Sequence, residues 1–190
     1  MKKYYPKGKK AHKMLQKDKF IDMGEIYLRS LRQEDLIGNW YMWLNDPVVT
    51  RFQDKGIIPN TREKQQSYFE YLAKSSSDIV LAIVFDQTNL HIGNIGLHRI
   101  DYIHRHADVG IILGEKDYWN KGYASQTIQA LATYAVSTLN LHRLTAYIMN
   151  ENAGSQKAFI KAGFIEEGCM KDYYYKNGRY LDVNVLGYTK

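Results

Sequence analysis

Ala124, Ile128, Leu131, Ala132, Ala135, Val136 and Leu139 recur at three- and four-residue spacing, while Gln126, Gln129 and Thr133 fall on the opposite side. A stripe of that period predicts an amphipathic helix starting near Tyr123. The seven apolar residues 79–85 predict a buried strand. After the turn Gln87-Thr-Asn89 two further strands are expected, over 91–100 and 107–113. Downstream, 143–149 alternates with Leu144, Ala146 and Ile148 on one face, which predicts another strand. Residues 152–162 predict a short helix stopped by Gly163, and Phe164 opens a strand that turns at Lys176-Asn-Gly-Arg179, a strong hairpin signal, into a last one. Toward the N-terminus, 25–30 is expected as a strand, and Arg32-Gln-Glu-Asp35 as the start of a helix running to about Leu44, ended by Asn45-Asp-Pro47. Asn60-Thr-Arg-Glu63 opens another helix to about Lys74, closed by Ser75-Ser-Ser-Asp78. Strand, two helices, three strands, helix, strand, helix and two strands make an α/β (α+β) layered domain around a largely antiparallel sheet of about six to seven strands.

Charge divides the chain unevenly. The formal net charge is +6, yet residues 1–20 hold Lys2, Lys3, Lys7, Lys9, Lys10, Lys13, Lys17 and Lys19 against Asp18 alone, so the remainder nets −1. Residues 1–23 are therefore expected as a basic, solvated extension, with a docking arm for a polyanion or an anionic membrane surface, or an ordered helical cap, as the alternatives, and 24–190 as one domain. The nearly neutral body lacks a basic and aromatic stripe, so no specific nucleic-acid partner is expected. The longest apolar run, seven residues, is far short of the ~18 a membrane span needs. With Cys169 alone, neither an internal disulfide nor a zinc site of several thiolates can form. No His/Asp spacing suggests a metal ligand set, and with no apolar signal segment at the N-terminus a cytoplasmic protein is expected.

Candidate chemistry gathers in Asp117-Tyr-Trp-Asn-Lys-Gly-Tyr-Ala-Ser125, a short glycine loop between a strand and the start of the long helix. Backbone N–H groups left unpaired at a helix start, reinforced by the helix dipole, suit a phosphate. Together with Asn152-Ala-Gly-Ser155 and Ala162-Gly-Phe164, and with lesser matches at Arg29-Ser-Leu31 and Trp43-Leu-Asn-Asp-Pro47, this loop resembles the GCN5-related N-acetyltransferase (GNAT) superfamily, in its RimJ/RimL-like branch, over about residues 24–190. The resemblance implies the GNAT fold, with acetyl-CoA as co-substrate and no metal. It implies a pyrophosphate clamp at Asn120, Lys121, Gly122, Tyr123, Ala124 and Ser125, with Asn152 and Ser155 near the pantetheine arm. It also implies that strand N–H groups through Ile112 and Leu113 meet the pantetheine amides and polarise the thioester. The family's loop commonly begins with Gln or Arg, where Trp119 stands here, as is common in the RimJ/RimL-like branch.

The activity so implied is direct attack of a primary amine on the thioester in a ternary complex. Many relatives protonate the departing thiolate with a tyrosine seven residues after the motif asparagine. Here that position is Phe159, which has no hydroxyl, so Ser155, another tyrosine or water is expected to serve, or the thiolate leaves with help from the helix dipole alone. Asp108 and His98 are the candidate bases, while His104 and His106 fall in a turn. An amino sugar, carried on a nucleotide, is the favoured acceptor. The α-amine of a protein N-terminus is the alternative, and a non-catalytic acetyl-CoA sensor the reading from another class. Family members also form homodimers.

Overall fold

The computed structural model describes residues 18–190. In chain order the elements are β1 (Ile21–Asp22), β2 (Ile26–Ser30), α1 (Trp40–Trp43), α2 (Arg62–Lys74), β3 (Ile79–Phe85), β4 (Leu90–Asp101), β5 (His106–Leu113), α3 (Tyr123–Ser137), β6 (Arg143–Met149), α4 (Ala153–Lys161), β7 (Ile165–Lys176) and β8 (Arg179–Thr189). The strands form a single sheet ordered β1-β2-β3-β4-β5-β6-β8-β7. Among the described strands only β5 and β6 run parallel, because α3 carries the chain back between them. Ile128, Leu131, Ala132 and Ala135 of α3 and Phe159 of α4 pack on one face with Ile26, Leu28, Ile83, Ile95 and Leu144. Trp40, Trp43 and Val49 form a second cluster with Phe69, Ile112 and Trp119. Ile112 and its core-facing neighbours Ile111 and Leu113 alternate along β5, which puts this cluster on the opposite face. Among the described residues no helix is long and apolar enough to cross a membrane.

Three expectations change. The helix expected from Arg32 to Leu44 is two pieces: a 3-10 turn over Gln33–Leu36, then α1. Asp35 turns inward to make two bonds to the Arg29 guanidinium (2.8 and 2.7 Å) and accepts the Arg32 N–H (2.8 Å), and Gly38 follows, a poor helix former. The folded body also begins earlier than Gly24. β1 pairs with β2, the Phe20 N–H donates to Leu28 C=O (2.7 Å), and the Phe20 ring meets Tyr134 edge-on at 5.1 Å. The expected lysine-rich extension up to residue 17 lies outside the described residues. With β1 counted, the sheet has eight strands.

One irregularity shapes the rest. The β5–β6 ladder contains His106–Arg143, Ala107–Leu144 and Asp108–Thr145 and then stops, although β5 runs on to Leu113 and β6 to Met149. Beyond Asp108 the two strands part. The Gly114 N–H donates to Ile92 C=O (2.9 Å), and Gly93 lies opposite Leu113, which sets the phase of the β4–β5 ladder. Asp108, Gly110 and Ile112 turn their backbone groups to β4, while Val109, Ile111 and Leu113 turn theirs into the gap. Side chains already use two of those carbonyls: Gln53 Nε2 donates to Ile111 O (3.4 Å) and Trp119 Nε1 to Leu113 O (2.9 Å). The expectation of a free Ile112 N–H is therefore corrected. Alternation gives that N–H to β4 and puts Ile111 in its place.

Candidate active site

The gap opens into two cavities. The first, of about 530 Å³, is lined by Ile112, Leu113, Asn120, Gly122, Tyr123, Ala124, Ser125, Asn152 and Ser155, among others. Every residue expected at the co-substrate is there except Lys121, whose Nζ lies over the Tyr118 ring at 5.1 Å. Gly122 (φ 82°) is the residue before α3 and leaves the helix without a side-chain cap, so the N–H groups of the first turn stay available. Asn120 is also left-handed, at φ 60°. Ser125 is less available, because its hydroxyl donates to Gly122 C=O (2.8 Å). α4 differs from α3: Asn152 Oδ1 accepts the Ser155 N–H (3.1 Å), capping the helix. Lys157 and Lys161 also line this cavity, and among the described residues no carboxylate does. The signal for both lysines in the sequence is their four-residue spacing on a short helix, which places them on one face.

The second cavity, of about 600 Å³, shares Gln53, Ile111 and Ile112 with the first, so the two meet at the end of β5. Its walls include Trp40, Asn60, Gln65 and Tyr68 on one side and Tyr147 and Tyr174 on the other. Both candidate bases, His98 and Asp108, are here. Asp108 is engaged by the Arg99 guanidinium. His98 Nδ1 lies 2.9 Å from Asp78 Oδ1. Asp78 Oδ2 accepts from the Tyr71 hydroxyl (2.6 Å), Ser75 Oγ (2.9 Å) and Ser77 Oγ (3.1 Å). Burial works against the Asp78 charge, but these bonds outweigh it and bring its pKa down to about 2. Burial pushes the Tyr68 phenol up to about 12, so it stays protonated at neutral pH.

The Acetyltransferase (GNAT) domain model matches residues 25–165. The chain belongs to this acetyltransferase family. It is 29% identical over 175 residues to YoaA, an uncharacterized N-acetyltransferase of Bacillus subtilis (strain 168), covering 90% of this chain and 96% of that protein. It is 32% identical over 147 residues to the ribosomal-protein-serine acetyltransferase of Escherichia coli (strain K12), covering 77% and 74%. A crystal structure of spermidine N-acetyltransferase from Vibrio cholerae in complex with CoA and spermine aligns with a TM-score of 0.79 at 24% identity, over 87% of this chain and 95% of that one. At that identity the likeness is one of fold.

Within this GNAT frame, Phe159 is 3% exposed and packs edge-on against Phe164 at 5.0 Å, in the core and away from both cavities. Its missing hydroxyl therefore leaves no polar gap in the site. One expectation about ligand spacing is revised. The β4–β5 bend brings ligand atoms of Asp101, His104 and His106, all within six positions of the chain, within 4.8 Å of one another. None of the three lines either cavity.

Proposed function

We propose that this GNAT enzyme moves the acetyl group of acetyl-CoA onto a primary amine by direct attack in a ternary complex, and that the acceptor is the α-amine of a polypeptide N-terminus. The observation that carries the first part is the meeting of two cavities at Ile111 and Ile112, one lined by lysines and open N–H groups and the other by candidate bases. The α3 start, Lys157 and Lys161 suit the phosphates, and the gap-facing groups of Ile111 and Leu113 suit the pantetheine amides and the thioester oxygen. Ser155, in the first turn of α4, offers a hydroxyl and a positive helix end to the departing thiolate.

Charge in the second cavity supports the acceptor class. Its carboxylates, Asp54 and Asp108, are already matched by Lys55 (3.0 Å) and Arg99, and Lys64 adds a further cation. A polyamine would bring several positive charges to a wall with no carboxylate to spare among the described residues, whereas a peptide brings one amine and neutral amides. The relationship to a ribosomal-protein-serine acetyltransferase points the same way. An amino sugar, the acceptor that the resemblance favours, finds no support among these relatives. Calorimetry with acetyl-CoA, followed by thiol release with a serine-initiated peptide, spermidine and a nucleotide amino sugar, tests both parts. Saturable binding and turnover confined to the peptide are expected. Failure to bind acetyl-CoA sinks the whole proposal, and turnover of spermidine alone sinks the acceptor class.

A further inference from the structure

We infer that His98 is the base that takes the proton of the incoming amine, and that Asp78 is the positioning residue that fixes the tautomer and aim of its imidazole. The inference rests on the acyl-transfer function proposed above and names the proton path within the same site. Ile79 lies opposite Leu97 and His98 opposite Asp108, so Asp78, His98 and Asp108 form a row across the sheet on one face. In that row His98 has two acidic neighbours with different duties. Asp108 is engaged by Arg99. Asp78 faces the imidazole with one oxygen and holds three hydroxyl donors on the other.

An ionised carboxylate can only accept, so the hydrogen at the 2.9 Å contact belongs to His98 Nδ1. In the neutral imidazole that leaves the lone pair on Nε2. The side chains of Asp78 and His98 are 12% and 34% exposed, so the pairing atom is sheltered and the ring reaches the cavity. Two glycines make room for it. Gly96 and Gly110 lie directly opposite one another, and a Cβ on Gly96 would stand 2.8 Å from His98 Nε2, one on Gly110 3.4 Å from it. The imidazole edge thus rests on bare backbone. Along β5, Gly110 is two residues from Ile112, roughly 7 Å from the junction of the cavities. We place the incoming amine in that interval, in reach of Nε2 directly or through a water.

The proton balance closes. The ammonium form of the acceptor gives one proton to Nε2, making an imidazolium that Asp78 stabilises and that later releases the proton to solvent. The amine lone pair forms the C–N bond, the C–S bond breaks, and the second amine proton ends on the CoA thiol. Among the described residues, the other charged or titratable groups around this ring include Arg99 from its own strand, Asp108 from β5, Tyr71, Tyr68 and Lys64 from α2, and Tyr147 and Tyr174 across the cavity.

The test combines turnover with a direct view of the ring. Histidine-labelled full-length protein is examined by nitrogen NMR, alone and with acetyl-CoA. Wild type is expected to show His98 protonated at Nδ1, and Asp78→Asn to lose that preference. With acetyl-CoA and a serine-initiated peptide, Asp78→Asn is expected to lower kcat about 10- to 100-fold, leaving the peptide KM and the acetyl-CoA Kd within about twofold. His98→Gln is expected to lose at least 100-fold and the acidic limb of the pH profile. A folded His98→Gln variant with wild-type acetyl-CoA affinity and turnover within about threefold overturns the inference. So does a wild-type ring protonated at Nε2. If wild type turns over no peptide while its ring carries the Nδ1 proton, the acceptor class has failed and the dyad stands on the tautomer.

Discussion

Gly122 and Gly96 are both glycines of the site, and replacing each by alanine separates the two substrates. At Gly122 an added methyl meets nothing within 4 Å, so the cost of Gly122→Ala comes from its φ of 82°, about 1 kcal/mol. That strain falls on the start of α3, and the expected outcome is weaker acetyl-CoA binding by calorimetry with little change in melting temperature. Gly96→Ala puts a methyl 2.8 Å from His98 Nε2 and 2.9 Å from Val80 Cγ2. It is expected to lower turnover while acetyl-CoA affinity holds. Gly122 could be read from the sequence because its meaning is local: strand, loop and helix follow one another. Asp78 could not. Its partner His98 is twenty residues away, and only the β3–β4 register brings them level.

Among the elements, the segment between α1 and α2 was the least legible, since it has neither period nor strong turn pairs. Its ends are nonetheless tied: Asn45 Oδ1 accepts the Asn60 N–H (2.9 Å) and Asn45 Nδ2 donates to Asn60 C=O (3.0 Å). Its middle is held from the far end of the chain. Lys176 Nζ donates to the carbonyls of Thr50 (2.7 Å) and Gln53 (2.6 Å), and burial lowers its pKa. Val48, Val49, Phe52 and Gln53 from this segment wall the first cavity, and Gln53, Asp54 and Lys55 the second. Lys176→Met is expected to destabilise the fold by about 1.5 to 3 kcal/mol in urea titrations. It should also raise KM for both substrates more than it lowers kcat. The hairpin carrying Lys176 was predicted correctly from Asn177-Gly178, whose φ values of 53° and 83° are those of the expected tight turn. That its lysine reaches across to another loop had no trace in local pattern.

On the scale of the whole molecule, one buried ion pair ties β2 to the 3-10 turn ahead of α1. Arg29 and Asp35 are 5% exposed each, and His91 Nδ1 lies 3.3 Å from the same carboxylate. Burial disfavours the Asp35 charge, but the Arg29 and His91 bonds prevail and hold its carboxyl well below the usual range. A depressed carboxyl stabilises the fold above its unfolded pKa, about 4, and the stabilisation drains away as pH falls below that. Asp35→Asn is expected to cost about 3 to 5 kcal/mol at pH 7 and to flatten the loss of stability between pH 4 and pH 2.5 in urea titrations. The parting of β5 from β6 has a consequence on this scale too. It leaves the sheet one strand short along half its length, and a bound pantetheine arm would occupy that vacant rung as a non-peptide ninth strand. Ile111 and Leu113 amides should then exchange with deuterium within seconds in the free protein and slow by orders of magnitude with acetyl-CoA, while the neighbouring Ile112 amide, committed to β4, stays slow throughout.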